Sequence, residues 1–167
     1  MRRPDLVDVW IFRLRQAADG DSAPEVLMLH RSAHRVLPGL WQGVSGLVEP
    51  DETIAAAALR EVAEETGLTT ASIDGFFHLD YVAEFLWEQA DALMTSAYFA
   101  VRVPEDWQPV LSHEHDEYRW LTVDEGIERS VWPAYREALT RLRDNLLDEK
   151  RALWFEVSLP APTQLLD

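Results

Sequence analysis

Three carboxylates in one short segment are the first residues with chemical consequence: Glu61, Glu64 and Glu65. On a helix, side chains three and four positions apart share a face, where like charges repel. A divalent cation reverses that penalty. Hard cations such as Mg²⁺ prefer carboxylate oxygen and often sit between a few carboxylates and the phosphates of a substrate. Arg60 stands four residues before Glu64 and can orient it, and Glu52 can hold Arg60 in turn. The competing reading is an ordinary solvated acidic face.

These residues need a helix to carry them, and the sequence supplies one. Asp51 or Thr53 can cap its start by accepting backbone N–H bonds that lack an intrahelical partner. The run Ala55 to Ala58 propagates well. Gly67 ends it, since glycine enters the left-handed conformation cheaply. Ala55, Ala58, Leu59 and Val62 give the apolar stripe that packs.

The full spacing is Gly46, five residues, Glu52, seven residues, then Arg60-Glu61-Val62-x-Glu64-Glu65-x-Gly67-Leu68. It resembles the Nudix box at every defined position. The resemblance implies Mg²⁺- or Mn²⁺-dependent cleavage of diphosphate linkages in nucleoside diphosphates joined to another group. It implies metal binding by Glu61, Glu64 and Glu65, with the Gly46 carbonyl as a further ligand and Arg60 and Glu52 as supports. The fold it implies is α+β, an α/β/α sandwich with a central mixed β-sheet.

Composition sets the outer limits. At 167 residues and 47% hydrophobic, the chain reads as one globular domain over 1–167, with 150–167 as a C-terminal extension packed on the domain or on a partner subunit. It has no cysteine, which excludes a disulfide framework and cysteine-based metal or nucleophile chemistry. No apolar run approaches a membrane span, and no signal peptide is recognisable, so a cytoplasmic protein is expected. The net charge of −15 argues against a nucleic-acid scaffold. It leaves a small anionic substrate open, because metal ions and arginines override the global field locally.

Along the chain, Leu6 to Leu14 and Glu25 to His30 read as strands of an antiparallel hairpin. Arg31 to Pro38 is a basic loop in which Arg31 and Arg35 are candidates for contact with substrate phosphates or a base. Gly39 to Gly46 is glycine-rich, with Trp41 and Gln42 as candidate substrate contacts. Trp41 reads equally as core. Ile73 to Trp87, which has room for a bulge, pairs with Leu93 to Val103 as a second hairpin whose aromatics read mainly as core. A polar run from Ser112 to Glu117 precedes the short strand Tyr118 to Leu121. Thr122 or Asp124 opens a helical turn. A longer helix starts at Trp132-Pro133 with the stripe Ala134, Ala138, Leu139, Leu142, Leu146 and Leu147. Trp154 to Leu159 reads as a last strand.

Within the family, Arg3-Pro4, Trp41-Gln42-x-Val44-x-Gly46 and Glu114-His115-x-x-Tyr118-x-Trp120 resemble bacterial dihydroneopterin triphosphate and dNTP pyrophosphohydrolases. That likeness implies Glu114 as a further metal ligand, forming with Glu61, Glu64 and Arg60 the catalytic set. Glu117 has the rival claim, from the Glu-x-x-Trp spacing of dinucleoside polyphosphate hydrolases. His113 and His115 are alternative bases. A nucleotide-sensing domain without activity is the contrasting class, but such domains commonly lose box glutamates and this chain keeps them all. A related isomerase would need a cysteine. The expected partner is a small nucleotide or nucleotide-like molecule, with a homodimer left open.

Overall fold

The computed structural model describes residues 3–16 and 22–159. β1 (Leu6–Gln16) and β2 (Ser22–Arg31) form the expected antiparallel hairpin, with Phe12 opposite Val26. β2 begins earlier than Glu25 because Ser22 and Ala23 continue the ladder opposite Gln16 and Arg15. Two short strands follow, β3 (Trp41–Gln42) and β4 (Val44–Leu47), and then α1 (Ile54–Thr66). β5 (Gly75–Trp87) and β6 (Ala92–Arg102) form the second hairpin, with a register shift between His78 and Val82. β7 (His115–Thr122) leads into α2 (Val123–Arg129), α3 (Pro133–Leu146) and α4 (Glu149–Ala152).

β1 organises the seven-stranded mixed sheet. It runs parallel to β6 over Leu6 to Phe12. Toward its C-terminal end it pairs with β2, whereas Leu6 to Val9 pair with β4. β2 in turn takes β3 opposite Leu29 and His30, and β7 opposite Glu25 to Arg31. The sheet therefore forks. One limb is β7-β2-β3, the other β4-β1-β6-β5, and both share the β1–β2 hairpin.

Side-chain alternation along the strands serves two layers. Val7, Val9, Ile11, Leu27 and Leu29 pack against Ala57, Ala58, Leu59 and Val62 of α1. Trp10, Phe12, Val26 and Met28 face the other way, onto Tyr135, Ala138, Leu139 and Leu142 of α3. This is the α/β/α sandwich. The Thr122 hydroxyl and the Glu125 carboxylate cap α2 reciprocally, fixing where β7 turns into helix.

The C-terminal segment departs from expectation. In place of a last strand, Asp148 caps the short α4, and residues 155–157 contribute one isolated bridge, Phe77 with Glu156. Two backbone bonds hold it: His78 N–H to Phe155 O (2.9 Å) and Val157 N–H to Phe76 O (2.8 Å). Phe155 packs on the core, while Leu153 and Trp154 stay exposed. Residues 160–167 lie outside the described residues. No helix among the described residues is long and apolar enough to cross a membrane.

Candidate active site

α1 begins where Thr53 Oγ accepts the Ala56 N–H (3.1 Å), and it ends at Gly67 with φ 71°. Of the two cap candidates the structure uses Thr53. Arg3 helps set the entry by donating to the carbonyls of Pro50 (3.1 Å) and Glu52 (2.5 Å).

Arg60 is the hub of the exposed side. Its guanidinium grips both oxygens of Glu52 at 2.6 and 3.1 Å. It also donates to Glu61 (2.6 Å), to Glu64 (3.4 Å) and to the Leu47 carbonyl (2.9 Å). Arginine suits this task because its planar fork donates in several directions while staying charged. Through these bonds the loop before the helix is tied to the helix face. The Arg60 hydrogen bond also holds the Glu52 carboxyl below its usual range.

Glu61 and Glu65 lie against β4, at Gly46 and Ser45. Gly46, opposite Val7, lies so close to Glu61 that a Cβ would overlap its carboxylate. Burial raises the Glu61 pKa despite Arg60. Glu65 is 4% exposed. Burial first, then Glu61 and Glu114, pushes it up to about 9, against the opposing hydrogen bond from the Ser45 backbone N–H. Its Oε2 has no hydrogen-bond partner. His115 Nδ1 is 3.7 Å away, beyond a hydrogen bond. Both His115 ring nitrogens are also unpartnered. Burial, then Arg31, lowers that imidazole to about 4. It is neutral at pH 7.

Glu114 enters from the start of the β7 segment. It is close enough to Glu61 and Glu65 to raise both of their pKa values. Arg35 donates to it at 2.9 Å, and Arg31 lies at 3.9 Å. Arg35 also meets His113 Nε2. The segment is fixed by backbone bonds from Ser112 N–H to Glu65 O (3.0 Å) and from Ser32 N–H to Glu114 O (2.9 Å). Glu117 points elsewhere, bonded to Arg119 at 2.7 Å.

The structure thus brings Gly46, Glu61, Glu65, Glu114, Arg31 and Arg35 together, with Glu52, Arg60 and Glu64 beside them. Trp41 stands apart from this group. Its ring packs beside His30 and lies near the guanidinium groups of Arg119 and Arg129, at 5.0 and 5.3 Å. Gln42 is buried with its Nε2 unpartnered. A groove of about 550 Å³ lined by Arg13, Arg15, Glu105, Asp106 and Gln108 lies at the far end of β1.

The donor set is all hard oxygen, and the buried Glu65 Oε2 has no partner beside the neighbouring carboxylates of Glu61 and Glu114. Both fit a divalent cation. Among the described residues no three acidic or histidine side chains already stand in a chelating arrangement. The reason is visible in the ion pairs: Arg60 holds Glu61 and Glu64, and Arg35 holds Glu114.

Sequence reasoning missed Asp8. It sits on β1 between Ser45 and Tyr98, 6% exposed, with the Ser96 hydroxyl donating to it at 2.5 Å. The available signal was a lone acid within Val7-Asp8-Val9-Trp10-Ile11, where a central strand is otherwise apolar.

Comparison with known proteins agrees with this geometry. Residues 5–142 match the NUDIX domain model. A protein of Myxococcus xanthus named octanoyltransferase is 37% identical over 118 residues, covering 70% of this chain. The chain spans only 31% of that protein's length. The asymmetrical bis(5'-nucleosyl)-tetraphosphatase of Sus scrofa is 33% identical over 123 residues, covering 71% of this chain and 78% of that one. The solved structure of the Escherichia coli dihydroneopterin triphosphate pyrophosphohydrolase superposes with a TM-score of 0.65 at 25% identity, covering 83% of this chain and 95% of that one. A domain match over most of the chain, and a relative of similar length above 30% identity, make this chain a member of the Nudix family, hydrolases that act on pyrophosphate bonds.

Proposed function

We propose that the chain hydrolyses a nucleoside-triphosphate-like substrate, a dNTP, NTP or pterin triphosphate, to a monophosphate and pyrophosphate, using Mg²⁺ or Mn²⁺. The observation that carries this reading is the convergence of Glu61, Glu65 and Glu114 with Arg31 and Arg35. Acidic groups for a cation and basic groups for phosphate are both needed there.

In this reading Gly46 O, Glu61, Glu64, Glu65 and Glu114 hold the cation, which when bound screens phosphate charge and acidifies water. Arg31 and Arg35 receive the substrate phosphates, exchanging Glu114 for phosphate oxygen. A glutamate of α1 accepts the proton of the attacking water. Arg60, anchored by Glu52, keeps the carboxylates in position, and a helix holds them more rigidly than a loop would. Residues 1–167 act as one hydrolase domain, and the contact of Phe155 with the core supports the C-terminal segment as part of it. A soluble nucleotide pool and the lack of cysteine suit the cytoplasm. A homodimer is compatible with the exposed Leu153 and Trp154.

A second reading, hydrolysis of dinucleoside polyphosphates, draws on the Sus scrofa relative. The test is product analysis by mass after incubation with Mg²⁺ or Mn²⁺, with and without EDTA. Pyrophosphate plus monophosphate is expected, abolished by EDTA, and lowered on the order of 10²-fold or more in kcat by Glu61→Gln. Turnover undiminished in EDTA, or products limited to inorganic phosphate and a diphosphate, overturns the first reading. Activity confined to dinucleoside polyphosphates selects the second.

A further inference from the structure

The sequence offers His115 as a base, but its surroundings fit a different task. A base needs access to the attacking water, and the His115 side chain is fully enclosed. Both of its ring nitrogens lack a hydrogen-bond partner. Chains rarely leave such atoms unpaired, because a buried donor without an acceptor keeps its whole desolvation cost. A complementary atom stands 3.7 Å from His115 Nδ1: Glu65 Oε2, itself unpartnered, on a side chain only 5% exposed. That separation is too long for a direct bond. It is too short for a bridging water, whose two bonds of about 2.8 Å at a tetrahedral angle set its partners farther apart.

The backbones that carry the two side chains are already tied together. Ser112 N–H bonds Glu65 O at 3.0 Å, Val110 N–H bonds Thr66 O at 2.8 Å, and His115 N–H bonds Ser112 O at 3.3 Å. Arg31 pairs with His115 across the ladder, and Ser32 N–H bonds the Glu114 carbonyl. What remains between Nδ1 and Oε2 is side-chain rotation. One segment therefore performs two services. Glu114 presents a carboxylate, and the next residue meets Glu65 near the end of α1.

We infer that His115 is a positioning residue, which holds Glu65 for the cation by donating its Nδ1–H to Oε2 of that carboxylate. The Ser45 backbone N–H serves the same carboxylate. Donors on β4 and β7 then fix its rotation from two elements. Carboxylates that ligate a metal are themselves hydrogen-bonded, and losing such a partner weakens metal binding roughly tenfold to a hundredfold. A neutral imidazole donates from one nitrogen without adding a charge that would repel a cation, as a lysine or arginine would. With hydrogen on Nδ1, Nε2 is left as a bare acceptor, which is less costly to bury unpaired than an N–H. The inference rests on the metal-dependent reading of the site.

The test reads metal binding and the ring itself. Mn²⁺ is titrated into metal-free protein without substrate, and the free ion is followed by electron paramagnetic resonance. His115→Leu fills the space without a donor and should raise the Mn²⁺ Kd by roughly tenfold or more. His115→Asn, whose amide places an N–H near the position of Nδ1, should return it to within a few fold of wild type. In the Glu65→Gln background His115→Leu should add nothing, as expected of a residue that acts through that carboxylate. Equal Kd values for wild type and His115→Leu, no recovery in His115→Asn, or an equal loss in both backgrounds overturns the inference. The wild-type chain supplies a reading that no folding defect can confuse. NMR of the histidine ring nitrogens with Mg²⁺ bound should show His115 with hydrogen on Nδ1 and a bare Nε2, the minor tautomer of free histidine. Hydrogen on Nε2, or no Mn²⁺ binding by the wild type, rejects the inference. Absence of any diphosphate cleavage overturns the proposed function alone, because neither readout involves substrate.

Discussion

The Asp8 carboxyl should leave a measurable signature in stability. Burial pushes it up from 3.8 to about 6, opposed by the Ser96, Ser45 and Tyr98 hydroxyls. A carboxyl whose pKa is raised by folding favours the folded state while protonated. Its contribution is full below pH 3.8 and is lost as pH rises through about 6. The shift of about 2 units corresponds to about 3 kcal/mol at 1.36 kcal/mol per unit. Asp8→Asn removes the titration and keeps the shape. Urea denaturation of both proteins from about pH 4 to about pH 8, in EDTA to keep cations out of the neighbouring site, gives the difference in unfolding free energy at each pH. The wild type should lose about 2.5 kcal/mol relative to the variant across that range, steepest between about pH 4 and about pH 6. Other carboxylates titrate in both proteins and cancel. Parallel curves would refute the reasoning, because they would mean that Asp8 ionises as easily in the fold as in water.

Two further outcomes follow from the geometry. Glu114→Gln should lower kcat much more than KM, while Glu117→Gln, whose partner is Arg119, should stay within a few fold of wild type; steady-state kinetics showing the reverse would transfer the role to Glu117. Truncation after Lys150 removes the Phe155 contact with the core and both backbone bonds to β5, so the melting temperature should fall by several degrees, and an unchanged value would show the segment to be dispensable.

What the sequence made legible was mostly local. Thr53 and Gly67 delimit α1 on either side of the alanine run, so capping chemistry alone bounds it. The Glu52–Arg60 pair follows from short-range spacing along the loop and helix. The two hairpins follow from apolar strands joined by short polar turns. The fork of the sheet was not legible, since it depends on β1 exchanging β2 for β4 midway along its length. Nor was the Asp8 cluster, whose partners at 45, 96 and 98 come from two other strands. Trp41 shows the same limit. Its aromatic ring suggested stacking on a base or a place in the core, and the guanidinium groups beside it come from β7 and α2. At the C-terminal segment, the apolar residues suggested a strand, and the outcome was decided by α4, which leaves room for one bridge on β5.

The ion pairs of Arg60 and Arg35 carry a consequence for the chain's behaviour when cations are scarce. Four clustered carboxylates, Glu52, Glu61, Glu64 and Glu114, are met by two internal guanidinium groups. The chain brings its own counterions, so the fold is decoupled from metal supply. Many metal sites draw folding energy from the ion they bind. On the proposed reading an incoming cation must compete with groups already in contact, which lowers its apparent affinity and makes occupancy graded. Metal supply then governs how many copies are loaded, while the number that stay folded is set elsewhere in the molecule.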